Sequence, residues 1–181
     1  MTDQWRPVLR AVVGSAVAAA ARAPLGLRPP HLWSGLRHGG AAAGAVALGV
    51  AATTAVPTVR RAMADRDLPD DAPRWLAFEI PLGTVWAEEA VFRGGLQTLA
   101  GRALGPSGGR LVQAIAFGLW HIPDAKKAGE PIVGTVLVTG LAGWVFGWLA
   151  ERSGSLLAPA LAHLAINEAG AVAALAVQRR R

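Results

Sequence analysis

Apolar runs at 40–59, 75–100, 132–150 and 156–177 constrain this chain more than any other feature of its sequence. Each is long enough to cross the hydrocarbon core of a bilayer as a helix. A chain exposed to lipid must satisfy its backbone amides internally, so helices are the predicted elements. A shorter run at 110–122 predicts another helix, and the alanine-rich stretch 11–21 predicts a marginal one. The stretch 11–21 also resembles a signal peptide, with a basic segment before it and Ala21-Arg22-Ala23 at its end. Pro24 would follow the cut and is a poor residue there, so the helix is the preferred reading. The expected fold is all-α: a polytopic transmembrane helical bundle of five to six spans, with a polar catalytic cavity in its core.

Composition supports the same class. The chain is 52% hydrophobic and only 17% charged, which fits one membrane bundle better than a soluble domain of the same length. A net charge of +6 and a pI near 11.4 raise the question of nucleic acid. The basic residues sit between apolar runs and in the tails, though, not along one face or interleaved with aromatics, so no nucleic-acid partner is expected. They read as anchors at a lipid surface. The chain has no cysteine, which excludes disulfides, thiol nucleophiles and thiolate metal sites.

The connections are marked by turn chemistry. Residues 25–40, with Pro29-Pro30 and Gly39-Gly40, predict a loop with Trp33 as an interfacial anchor, and 60–74 predicts a solvated mixed-charge loop. Gly101 to Gly109 predicts a turn, Pro123-Asp124 stops the preceding helix before a short charged connection, and 151–155 predicts a tight polar turn. Pro81 and Gly83 predict a kink early in the 75–100 run. With six spans, both termini and the loops at 60–74 and 123–130 share the more basic side, which the positive-inside rule assigns to the cytoplasm.

Six polar residues able to do chemistry lie inside these apolar segments: Glu88, Glu89, Arg93, His121, His163 and Asn167. Each buried charge at a helix centre costs about 2.5–3.5 kcal/mol on insertion scales, so its presence carries a functional reading by default. Glu89 and Arg93 are four apart, acid first, which predicts an ion pair along one helix face. Glu88 points away from that pair and has no local cation, as suits a group that burial tunes for acid–base work. His163 and Asn167 share a face at the same spacing, as do Phe117 and His121. A carboxylate and an imidazole in one cavity would deprotonate a water and later protonate an amine leaving group, while a second imidazole and an amide steady the oxyanion.

Other hydrolytic routes fit less well. No aspartate lies inside a span, no His-Glu-x-x-His sequence exists, and Ser107, Ser153 and Ser155 lie in Gly-rich turns where a structural role is the more common one. If zinc binds, Glu88, His121 and His163 supply the Glu-plus-two-His ligand set of a catalytic site. The residues also leave open a membrane scaffold that binds without cutting, and a small transporter that uses the acids and histidines as a proton relay.

Glu88-Glu89-x-x-x-Arg93, Phe117-x-x-x-His121 and His163-x-x-x-Asn167, in that order on successive apolar segments, resemble the three motifs of the CPBP family. That family comprises CAAX-prenyl-protease-like and bacteriocin-processing (Abi) intramembrane proteases. Phe92-Arg93-Gly94 and the run from Gly143 to Leu156 are also similar to the family's wording. The resemblance implies that residues 75–177 form the catalytic core, preceded by a membrane region at 1–74 and followed by a basic tail at 178–181. It implies that Glu88 and His121 activate water and that His163 and Asn167 form the oxyanion site, with Glu89, Arg93 and Phe117 in support. The expected activity is endopeptidase cleavage of a membrane-associated protein or peptide, in the bacterial cytoplasmic membrane. No cofactor is required in the preferred reading, and the alternative is a non-proteolytic scaffold or bacteriocin-immunity protein.

Overall fold

In the computed structural model, which describes residues 5–180, the chain closes its backbone hydrogen bonds within helices, and there is no strand among the described residues. Met1 to Gln4 of the basic N-terminal segment and Arg181 of the basic tail lie outside the described residues. The helices are α1 (Arg6–Ala20), α2 (His31–Thr54), α3 (Pro57–Ala64), α4 (72–104), α5 (106–120), α6 (Ile122–Ala128), α7 (Ile132–Ser153) and α8 (Leu157–Gln178).

Prolines and glycines place the breaks. Pro57 opens α3 after the chain has turned by 96° from α2, because a proline fits the first turn of a helix and not its interior. Asp71 caps α4 by accepting from the Arg74 amide at 3.0 Å. Between Trp75 and Trp86, and again between Ala90 and Gln97, α4 is wound as a π-helix, with the α-helical turn Ala87–Glu89 between. Pro81, which cannot donate to the preceding turn, lies in the first of these segments, at the predicted kink. Gly105 (φ 77°, ψ 168°) separates α4 from α5, and Gly154 (φ 67°) ends α7.

Several predicted loops are shorter than turn chemistry implied. Residues 31–40 belong to α2, residues 60–64 of the charged loop belong to α3, and 123–128 of the charged connection belong to α6. The predicted turn at 101–109 contracts to Gly105, and Glu151 to Ser153 complete α7. For the glycine-bearing stretches the reason is packing: Gly39, like Gly14 and Gly118 inside predicted helices, sits where helices approach too closely for a side chain. A Cβ on Gly39 would lie 2.8 Å from the Ala158 Cα on α8, one on Gly118 of α5 would lie 2.6 Å from the Val136 carbonyl on α7, and one on Gly14 of α1 would lie 2.6 Å from the Ala87 carbonyl on α4. Gly118→Val is therefore expected to destabilise the bundle by about 1–3 kcal/mol. Gly44→Ala, on a face with open space, is expected to leave thermal unfolding in detergent unchanged or slightly improved.

Among the described residues the chain makes six passes between two ends, consecutive passes running in opposite directions, so that α1 lies parallel to α4 and α2 parallel to α8. At one end the Leu156 amide donates to the Leu25 carbonyl at 3.0 Å, and Ser155 Oγ donates to the Gly26 carbonyl at 2.8 Å. At the other, Gln178 Nε2 donates to the carbonyls of Met63 at 3.2 Å and Arg66 at 2.8 Å. Taken singly, α7 and α8 are long and apolar enough to cross a membrane, and α2 with α3 makes a third candidate if the bent pair is one span. The 15 residues of α1 rise only about 22 Å against a hydrocarbon core of about 30 Å, and α5 is no longer. The pass through α4 carries Glu79, Glu88, Glu89 and Arg93.

Candidate active site

The site forms where α4, α5, α7 and α8 meet. Glu89 is fully buried on α4, and its Oε1 accepts from Arg93 Nη1 at 3.1 Å, so the predicted ion pair is present and sealed from solvent. The same oxygen accepts from His163 Nδ1 at 2.8 Å. No local spacing encodes that second bond, which joins α4 to α8 across the core. An acceptor on Nδ1 fixes the orientation of an imidazole and leaves Nε2 for chemistry. Nε2 of His163 faces Glu88 Oε2 at 3.9 Å.

Glu88 stands one residue earlier and keeps 17% of its side-chain surface exposed. Its Oε1 accepts from Trp120 Nε1 at 3.3 Å, while Oε2 accepts no hydrogen bond from the protein. The imidazoles of His163 and His121 both act on its charge. His121 caps the C-terminus of α5, and its Nδ1 lies 2.7 Å from the Phe117 carbonyl. A carbonyl only accepts, so Nδ1 carries the proton and a neutral His121 presents a basic Nε2. Asn167 does not meet the group as directly. Its Nδ2 donates to the carbonyl of His163, one turn earlier on its own helix, at 3.1 Å, which leaves one amide hydrogen for another partner.

Aromatic rings fill the remaining space. The Arg93 guanidinium lies 4.2 Å from the centre of the Phe117 ring, 5.0 Å from that of Phe146 and 5.9 Å from that of Phe92. A desolvated cation gains from the negative ring faces what it has lost from water. Phe146 also stacks on His163, with centroids 5.1 Å apart, and Phe117 meets His121 edge-on at 4.7 Å. Phe117 thus contacts both histidines and the arginine. Trp120, Phe92 and Phe146 were not singled out from sequence as site residues. The available signal was position: Trp120 adjoins His121, Phe92 adjoins Arg93, and Phe146 shares with Trp144 the short interval between Gly143 and Gly147.

A cavity of about 630 Å³ is not lined by Glu88, His121, His163 or Asn167 and borders the group only through Arg93. For the zinc alternative, each imidazole does have its Nδ1 satisfied, as ligating histidines require. Among the described residues, however, Glu88, His121 and His163 do not gather into a three-ligand cluster.

A family model described as type II CAAX prenyl endopeptidase Rce1-like matches residues 71–169. The matched stretch runs from the cap of α4 to just beyond Asn167 and contains every site residue above. No curated protein and no solved structure matches the chain.

Proposed function

The chain belongs to the Rce1-like type II CAAX prenyl endopeptidase family, and from that premise we propose that it cleaves a peptide bond of a membrane-associated protein or peptide by direct attack of water. Family and apolar helices together make it an integral membrane protein of the protease class. The six passes of the chain are read as six crossings, with His163 six residues, about 9 Å, along α8, within the first third of that helix. The membrane is read as the bacterial cytoplasmic membrane.

The observation that carries the mechanism is the pair of groups facing each other without local partners, Glu88 Oε2 and His163 Nε2. Glu88, helped by the basic Nε2 of His121, takes a proton from water as the water oxygen bonds to the scissile carbonyl carbon. His163 acts as an imidazolium. Its Nδ1–H stays on Glu89, whose buried carboxylate stabilises the positive charge, and its Nε2–H donates to the oxyanion together with the second amide hydrogen of Asn167. When the C–N bond breaks, the proton held by Glu88 goes to the departing amine. Every step uses side chains of this chain, and none calls for a metal.

Purified protein reconstituted in lipid nanodiscs tests the reading with a quenched peptide library carrying apolar anchors and mass-spectrometric identification of the products. Cleavage at a defined bond is expected, and it is expected to survive dialysis against a chelator. Loss of activity on chelation, restored by zinc, would contradict the metal-independent step. A protein that binds the peptides and leaves them whole would be the scaffold alternative.

A further inference from the structure

The 630 Å³ cavity lies at the end of the bundle where α1, α4 and α7 finish and where α2 and α8 begin. Its volume is in the range of small-molecule sites, which are mostly apolar with a few placed polar groups. Its floor is one face of α4, where Gly94, Thr98 and Gly101 recur at helical spacing. Above Gly101 the space where a Cβ would sit is open. Leu156 gives an apolar wall, and the rim carries Arg102 and His31, both exposed. Arg102 Nη2 donates to the Arg22 carbonyl at 3.2 Å, which anchors the guanidinium at that edge.

Charge at this end is one-sided. Glu151 is the only carboxylate in 20–38, 97–110 and 150–160, and it is already engaged: Oε2 pairs with Arg110 at 3.0 Å and Oε1 accepts from Gln97 at 2.9 Å. Arg22, Arg28, Arg37, Arg102 and Arg152 occupy the same stretches with no further acid to meet them. An apolar trough with a cationic rim, placed where helices of a membrane bundle end, has the chemistry of a phosphate-ester headgroup site.

We infer that this cavity binds an anionic phospholipid, its phosphate held by Arg102 and His31 and one acyl chain lying over the open floor from Thr98 to Gly101. The inference is independent of the endopeptidase reading, since none of the proposed catalytic side chains enters the cavity.

Native mass spectrometry and thermal unfolding of the purified full chain test it, with dioleoyl-phosphatidylglycerol, dioleoyl-phosphatidylcholine or glycerol 3-phosphate added to the detergent. Phosphatidylglycerol alone is expected to stay bound and to raise the melting temperature. Arg102→Gln with His31→Gln, which removes one cation and one hydrogen-bond donor, is expected to cut its retention at least roughly fivefold. Gly101→Leu, which fills the trough and leaves the rim intact, is expected to abolish retention. Equal retention of the two lipids by the wild type would overturn the inference, whatever the variants do. So would retention that ignores both variants. An equal shift from glycerol 3-phosphate would place a soluble phosphate ester in the cavity and remove the lipid from it.

Discussion

Glu88→Gln is expected to lower kcat by about 10²–10⁴-fold, the range for loss of a positioned general base, with thermal unfolding nearly unchanged. Two features of the site separate chemistry from stability at this position. Glu88 is partly exposed and bonded to the protein through one oxygen only, which accepts from Trp120 at 3.3 Å. A glutamine of the same shape keeps an acceptor for that indole and leaves no buried charge behind. It cannot take a proton from water. Peptide turnover in nanodiscs and melting in detergent, measured on the same preparation, check both halves.

Arg93→Met is expected to do the reverse and strike the fold first. Arg93 and Glu89 have no exposed side-chain surface, and removing one member of such a pair leaves an uncompensated buried charge, at a cost of about 3–5 kcal/mol. Three phenylalanine rings placed around the guanidinium lose their cation as well. Glu89→Leu combined with Arg93→Met is expected to recover much of that stability, because apolar replacement of a whole buried pair is often neutral. The double variant is nevertheless expected to stay inactive, since His163 loses the acceptor on its Nδ1. A melting curve on each single and on the double variant gives the coupling between the two positions, and the peptide assay gives the separation of stability from activity.

The difference between these two glutamates shows what a single sequence can carry. The four-residue spacing of Glu89 and Arg93 encodes their contact locally, and so it was legible. The Glu89–His163 bond joins residues 74 apart in the chain, and only the packing of α4 against α8 creates it. Trp120 escaped notice for the same reason: its indole reaches Glu88 across the α4–α5 contact. Helix boundaries failed in a consistent direction. Gly35, Gly39 and Gly109 were read as loop residues, yet each is buried where a Cβ would meet Ser155, Ala158 or the backbone of α4. In a lipid-facing bundle, glycine marks close helix contacts as often as turns, and turn chemistry learned from soluble chains overcounts the loops. The three motifs, by contrast, are each local to one helix or its cap, and the family match confirms the membership they implied.

The most direct measurement compares N-termini across the membrane proteome of cells expressing the wild type or Glu88→Gln at matched protein levels. New termini within membrane-associated substrates that appear with the wild type and vanish with the variant are the predicted result. Identical profiles from two folded, inserted proteins would contradict the endopeptidase account and leave Glu88 and His163 as a binding pair without chemistry.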